Sequence, residues 1–252
     1  MSNEYAKFNK AVTELFDRNL SDHQKMANSH CQLLVVYGSY AHGTQNEESD
    51  VDLRGVFVPP KEYYFGLSDV DAVSFKRENR EEVDVLYSVK RFFKLASQGR
   101  TGVVDLLFVD PQLVLSTGTH GNFLLKNKHV FLSQKCVHSM LGFANANIEK
   151  VMKQGSDKAG KPLAHSFRLL FQAKKLLETL TFELQLDKGD LDIYAATRSG
   201  ELNGYDALEL LVPLKDEVER MLNSSKLPKE VDTNEVNKIL VDYTDMVLKE
   251  GR

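Results

Sequence analysis

The feature that most restricts this chain is a short apolar run that stops at a glycine and is followed, after a polar turn, by two closely spaced acids. Cys31–Tyr37 reads CQLLVVY and runs into Gly38; SYAHGTQNEES then leads to Asp50-Val51-Asp52-Leu53-Arg54-Gly55. An apolar run this short, bounded by turn residues, predicts a buried strand. In the second segment Val51, Leu53 and Val56 alternate with polar positions until Pro59-Pro60, which predicts another strand ended by proline. On such a strand Asp50 and Asp52 share a face while Val51 and Leu53 turn to the core. Neighbouring carboxylates repel unless a cation separates them. Magnesium suits that place, because it accepts a few carboxylates and fills its other positions with water and phosphate oxygens. Gly38 allows close backbone approach to a phosphate, and Ser39 adds a hydroxyl donor. An isolated Asp-x-Asp is more often a solvated strand edge, but here it follows a strand and a Gly-Ser turn, and the combination points to phosphate chemistry.

The remainder divides in two. Tyr5, Phe8, Val12, Leu15 and Phe16 follow helical spacing, with Ser21-Asp22 as a following turn or cap. DAVSFKR and EVDVLYS, joined by the charged turn Glu78–Glu81, predict a hairpin; VKRFFKLASQG predicts a helix, and VVDLLFV fits either type. From about Gly121 onward the chain reads almost wholly helical. With a boundary near Pro111–Gly121, the expected domains are 1–115, mixed α and β, and 116–252, all helical. A cleft is expected where two such halves meet.

Lys and Arg number 32 against 36 Asp and Glu, a net charge of −4, which excludes a uniformly basic nucleic-acid coat but not a local basic groove. Two cysteines, Cys31 and Cys136, make neither a disulfide scaffold nor a zinc motif. His23, His30, His120, His129 and His138 show no metal-ligand spacing. The N-terminal MSNEYAKFNKAVTELF is too charged for a signal peptide, and Leu33–Tyr37 is too short to span a membrane. The expectation is a reduced, cytoplasmic protein without a membrane partner.

A second constellation lies in KPLAHSFRLLFQAKKLLETL, where Pro162 fits a first helical position. Between two apolar stripes, His165, Arg168, Gln172 and Lys175 recur at helical spacing on one face. Seven Lys and Arg stand against two Asp and Glu between Glu149 and Lys175. A Lys/Arg stripe is usually a solvated face; on a largely buried helix it calls for something anionic.

Over Tyr37–Phe57, GSYAHGT followed by SDVDLRGVF resembles the signature of the DNA polymerase β-type nucleotidyltransferase superfamily. It is most similar to the branch that includes RNA-ligase-associated, RNA-repair members. The resemblance implies an α+β fold: a nucleotidyltransferase-type mixed β-sheet core with flanking helices, plus a C-terminal all-helical domain closing the nucleotide cleft. It implies a third carboxylate on a later strand. Asp84 is the candidate, set with Glu82 opposite the inward Val83 and Val85, and Glu82 and Asp71 are alternatives. It further implies two-metal catalysis with two Mg²⁺ ions, Mn²⁺ being a substitute, held by Asp50, Asp52 and Asp84. Gly38, Ser39, Lys161, His165 and Arg168 then serve as nucleotide-binding residues, with Arg198 a weaker candidate.

The implied activity is transfer of NMP from an NTP such as ATP to a hydroxyl of RNA, tRNA or a protein, with release of pyrophosphate. The alternatives are a catalytically weak nucleotide- or RNA-binding module and a toxin- or antitoxin-type enzyme that nucleotidylates proteins.

Overall fold

The structure, a computed structural model, describes residues 2–16, 20–76, 83–154 and 159–250. In chain order its elements begin with helices α1 (Ser2–Phe16) and α2 (Asp22–Ser29), strand β1 (Cys31–Tyr37), helix α3 (Gly38–His42) and strand β2 (Asp52–Phe57). Helix α4 (Glu62–Phe65), strands β3 (Ala72–Lys76) and β4 (Val83–Ser88), helix α5 (Val89–Ser97), strand β5 (Val114–Ser116) and helix α6 (Gly121–Lys126) follow. The chain ends in α7 (Gln134–Gln154), α8 (Gly160–Thr179), α9 (Lys188–Ser199), α10 (Gly204–Asn223) and α11 (Thr233–Glu250). The apolar VVDLLFV segment, ambiguous in sequence, forms a 3-10 turn at Val104–Leu107. The charged turn Glu78–Glu81 and the candidate Glu82 lie outside the described residues.

Two compact units result. The first comprises Met1–Ser97, Gly102–Phe131 and Asp232–Arg252; the second comprises Gln98–Thr101 and Leu132–Val231. The first holds a five-stranded mixed sheet of order β3-β4-β2-β1-β5, in which β2 and β4 are parallel and the other neighbours antiparallel. Phe8, Ala11 and Leu15 of α1 and Ala27 of α2 close one sheet face over Leu34, Val36, Leu53, Phe57, Phe75 and Leu86. Fully burying one such Leu or Phe stabilises by roughly 1.5–3 kcal/mol, so this face fixes the register of β1, β2 and β4. α2 starts at a capping box: the Gln24 amide donates to Ser21 Oγ while Gln24 Oε1 accepts from the Ser21 amide. α11 packs on α5 in this unit.

The second unit is wholly helical among its described residues. α8 is its centre and touches α7, α9 and α10, which explains why Leu163, Phe167, Leu169, Leu170, Ala173 and Leu176 are all buried. α9 ends at Gly200 in the left-handed conformation, and Asn203 caps α10 by accepting from the Tyr205 and Asp206 amides. The α+β architecture with a helical C-terminal part is the one expected from the sequence.

Candidate active site

Tyr37 and Asp52 are register partners across β1 and β2, so the Gly38-Ser39 turn leaves the sheet beside the Asp52 carboxylate. Gly38 has φ +62°, and a β-carbon added to it would run into Asp52 Oδ2. Only glycine meets both conditions without strain. The turn is closed where the Thr44 amide donates to the Ser39 carbonyl at 2.9 Å. Ahead of Asp50, Ser49 Oγ donates to Asn46 Oδ1 at 2.9 Å and accepts from the Asn46 amide at 2.8 Å. The segment presenting the acids is therefore held at both ends.

β2 begins at Asp52, and Asp50 lies two residues ahead of it. Asp50 is exposed just before the strand, and Asp52 is half-buried as its first residue. Val51 between them is buried in the core, as expected.

Asp84 lies close in the sheet but faces differently from the sequence reading. Its partner across β3 is Phe75 and its strand neighbour two positions on is Leu86, both in the apolar cluster that also contains Leu53. β2 and β4 pair Arg54 with Val85 and Gly55 with Leu86, so alternation puts Asp84 on the Leu53 side and Asp52 with Arg54 on the other. Asp84 is 2% exposed, and its Oδ1 accepts the Leu53 amide at 2.7 Å. A carboxylate accepting a backbone N–H is a strong, charge-assisted anchor, and this one fixes the residue that follows Asp52. Asp71 lies at the other end of β4: its carbonyl accepts the Ser88 amide and its carboxylate pairs with Arg91 at 3.4 Å.

On the Asp52 side sequence reasoning missed a polar chain. Tyr37 Oη donates to Asp105 Oδ2 at 3.0 Å, the Arg54 guanidinium lies 5.6 Å from the centre of the Tyr37 ring, and Arg54 Nη1 donates to Tyr87 Oη at 3.2 Å. Asp105 is buried, and the one available signal was a lone acid inside the apolar VVDLLFV. Among the described residues, no group of three or more His, Cys, Asp or Glu side chains is arranged to hold one metal ion.

In the helical unit, the polar stripe of α8 divides into two parts. Lys175 pairs with Glu183 at 2.9 Å and with Asp187 at 3.1 Å, and Gln172 Nε2 donates to the Leu184 carbonyl. This end ties down the connection to α9. At the other end Arg168 is buried, donating from Nη1 to Gln172 Oε1 and from Nη2 to His165 Nε2, each at 3.0 Å. Its guanidinium thus steadies His165 instead of standing open as a fork. Burial, helped by Arg168, Lys161 and Arg198, pushes the His165 pKa down to about 3, so the ring is neutral at pH 7. A neutral ring accepting at Nε2 carries its proton on Nδ1. Lys161 and Arg198 are exposed. Arg198 reaches the cluster because Gly160 sits tight against α9: a β-carbon there would stand 2.9 Å from the Thr197 carbonyl oxygen and 3.3 Å from that of Arg198.

The chain that forms this mixed sheet and helical unit carries the sequence profile of a nucleotidyltransferase-like family. The chain belongs to the RNA repair pathway DNA polymerase beta family, whose profile matches residues 12–195. It is 31% identical over 129 residues to an uncharacterized 38.9 kDa protein in the nrdC-mobD intergenic region of Enterobacteria phage T4. That match spans 48% of this chain and only 38% of the phage protein. The structure is also similar to a nucleotidyltransferase-like protein from Exiguobacterium sibiricum 255-15, at 12% identity and a TM-score of 0.30, over 80% of this chain and 72% of the other. A likeness that slight carries no inference. No described helix is long and apolar enough to cross a membrane.

Proposed function

We propose that the protein is a magnesium-dependent nucleotidyltransferase that moves NMP from an NTP to a hydroxyl of an RNA end. The bond from the α-phosphorus to pyrophosphate breaks as the bond to the acceptor oxygen forms, and the acceptor hydroxyl gives up its proton to solvent. The observation that carries this reading is the register of Tyr37 with Asp52, which sets a Gly-Ser turn directly beside a paired-acid strand start. The RNA acceptor follows from the family's repair context.

The donor set suits magnesium of a particular kind. This ion is commonly held by one or two carboxylates with substrate phosphate and water completing its shell, and Asp50 with Asp52 supplies such a pair. When bound, magnesium neutralises charge developing on the transferred phosphate. The chain's own residues hold and orient: Asp50 and Asp52 take the ion, and Ser39 offers a hydroxyl beside them. Asp84 keeps Asp52 in place through the Leu53 amide, a positioning role beside the third-ligand role read from the sequence. Within the helical unit, Lys161 and Arg198 are exposed cations, and Arg168 donates to His165 on the same helix as Lys161.

The test uses α-phosphate-labelled NTP, Mg²⁺ and RNA, with protein and RNA separated afterwards. The wild-type chain should label RNA, Mn²⁺ should replace Mg²⁺, and Asp50→Asn with Asp52→Asn should abolish labelling while leaving the fold intact. Undiminished transfer by the double variant would sink the mechanism, and label on protein alone would replace the acceptor.

A further inference from the structure

Phe143 on α7 is 46% exposed, and its ring lies 5.1 Å from that of His165, inclined at 53°. The α7 face that carries it turns toward α8, since Asn147, one turn on, donates to the Pro162 carbonyl at 3.2 Å and to Ser166 Oγ at 3.1 Å. The next residue along that face is Lys150, exposed. A half-exposed aromatic ring therefore stands beside His165, which Arg168 holds; Lys161 lies one turn before His165 on the same helix, and the backbone of Arg198 lies against the neighbouring Gly160.

The pairing is informative because nucleotides present a flat apolar base next to an anionic phosphate. Proteins that hold single strands without reading sequence combine aromatic platforms with cationic tracks in this way. We infer that Phe143 and the Lys161–Arg198 cations form a nucleotide-binding site within the helical unit, the base stacking on Phe143 and a phosphate resting on the cations. The neutral His165 supports the platform from behind. This rests on the nucleotide-handling part of the proposed function and assigns the base contact that it lacks. The bound nucleotide is either the free NTP or one unit of the RNA strand, since both present the same chemistry.

The test measures affinities, without divalent ions, for three probes: a fluorescent ATP analogue, a labelled single-stranded oligoribonucleotide, and tripolyphosphate as a base-free competitor. Phe143→Ala should weaken one of the base-bearing probes about ten-fold, within the range that stacking losses produce, and leave tripolyphosphate unchanged. Phe143→Tyr should restore most of the affinity. The probe that weakens identifies the source of the nucleotide. Unchanged affinity for both base-bearing probes overturns the inference. So does an equal loss for tripolyphosphate, which would show that Phe143 merely supports the cations. These affinities do not depend on turnover, so a wild-type protein that bound as expected but transferred no label would remove the proposed activity and leave this site standing.

Discussion

The α-carbon of Gly38 lies against the carboxylate of Asp52, so close that a side chain on one would displace the other. Gly38→Ala therefore does two things at once. It places a non-glycine residue at φ +62°, a cost of roughly 1–2 kcal/mol, and it pushes Asp52 aside. Urea unfolding should show at least that loss of stability, and transfer should fall much further than stability alone explains. An alanine variant with normal activity would mean that the turn and the acid are not coupled.

Asp84 and Asp50 should separate cleanly in a comparison of stability with activity. Asp84→Ala leaves the buried Leu53 amide without its acceptor, which costs about 1–3 kcal/mol. Asp50→Asn alters an exposed side chain and should change stability by no more than about 0.5 kcal/mol while severely reducing transfer. Thermal melts paired with label-transfer assays decide it. An Asp84→Ala protein as stable as wild type but inactive would return Asp84 to the role of a metal ligand.

His165 makes an acid-side prediction with a definite sign. Its ordinary pKa of 6.5 is lowered to about 3 in the folded protein, first by burial and then by Arg168, Lys161 and Arg198. Below about pH 6.5 the unfolded chain takes up a proton that the folded ring refuses. The stability tied to the neutral ring is therefore complete above that value and drains away as pH falls toward 3, at no more than about 1.4 kcal/mol per pH unit. His165→Gln should flatten the decline measured by urea unfolding between neutral and acid pH. An equally steep decline in the variant would place the proton uptake elsewhere.

Tyr37→Phe removes the hydroxyl that donates to Asp105. A net loss of about 1 kcal/mol is expected for such a bond, visible in the urea midpoint with an unchanged denaturant slope.

Strong local patterns were legible in the sequence and weak or distant ones were not. β1, the β3–β4 hairpin strands, α5 and α8 carry apolar periodicity that tertiary packing reinforces. α2 escaped notice because DHQKMANS buries only Ala27, leaving the cap at Ser21 as its sole signal. β5 is three residues long and exists by pairing with β1. In the site, Gly38 and Asp52 could be linked because a strand turn returns the chain to itself. Tyr37 and Asp105 are separated by 68 positions, and nothing local announces their meeting. Asp84 was found for its spacing, but its burial among Phe75 and Leu86 could not be read, because both faces of this sheet are covered and alternation alone does not say which side is polar.

The place of α11 in the acid-bearing unit has a consequence for how this protein can be made and trimmed. Tyr243 is fully buried in that unit, and its ring stacks on Phe123 at 5.6 Å. A fragment cut to the family match, 12–195, would retain every described strand and both acids yet lose α11 and its packing on α5 and Phe123. On the ribosome the order is the same: the sheet is translated well before α11, so Tyr243 finds its place against Phe123 only after the strands have emerged.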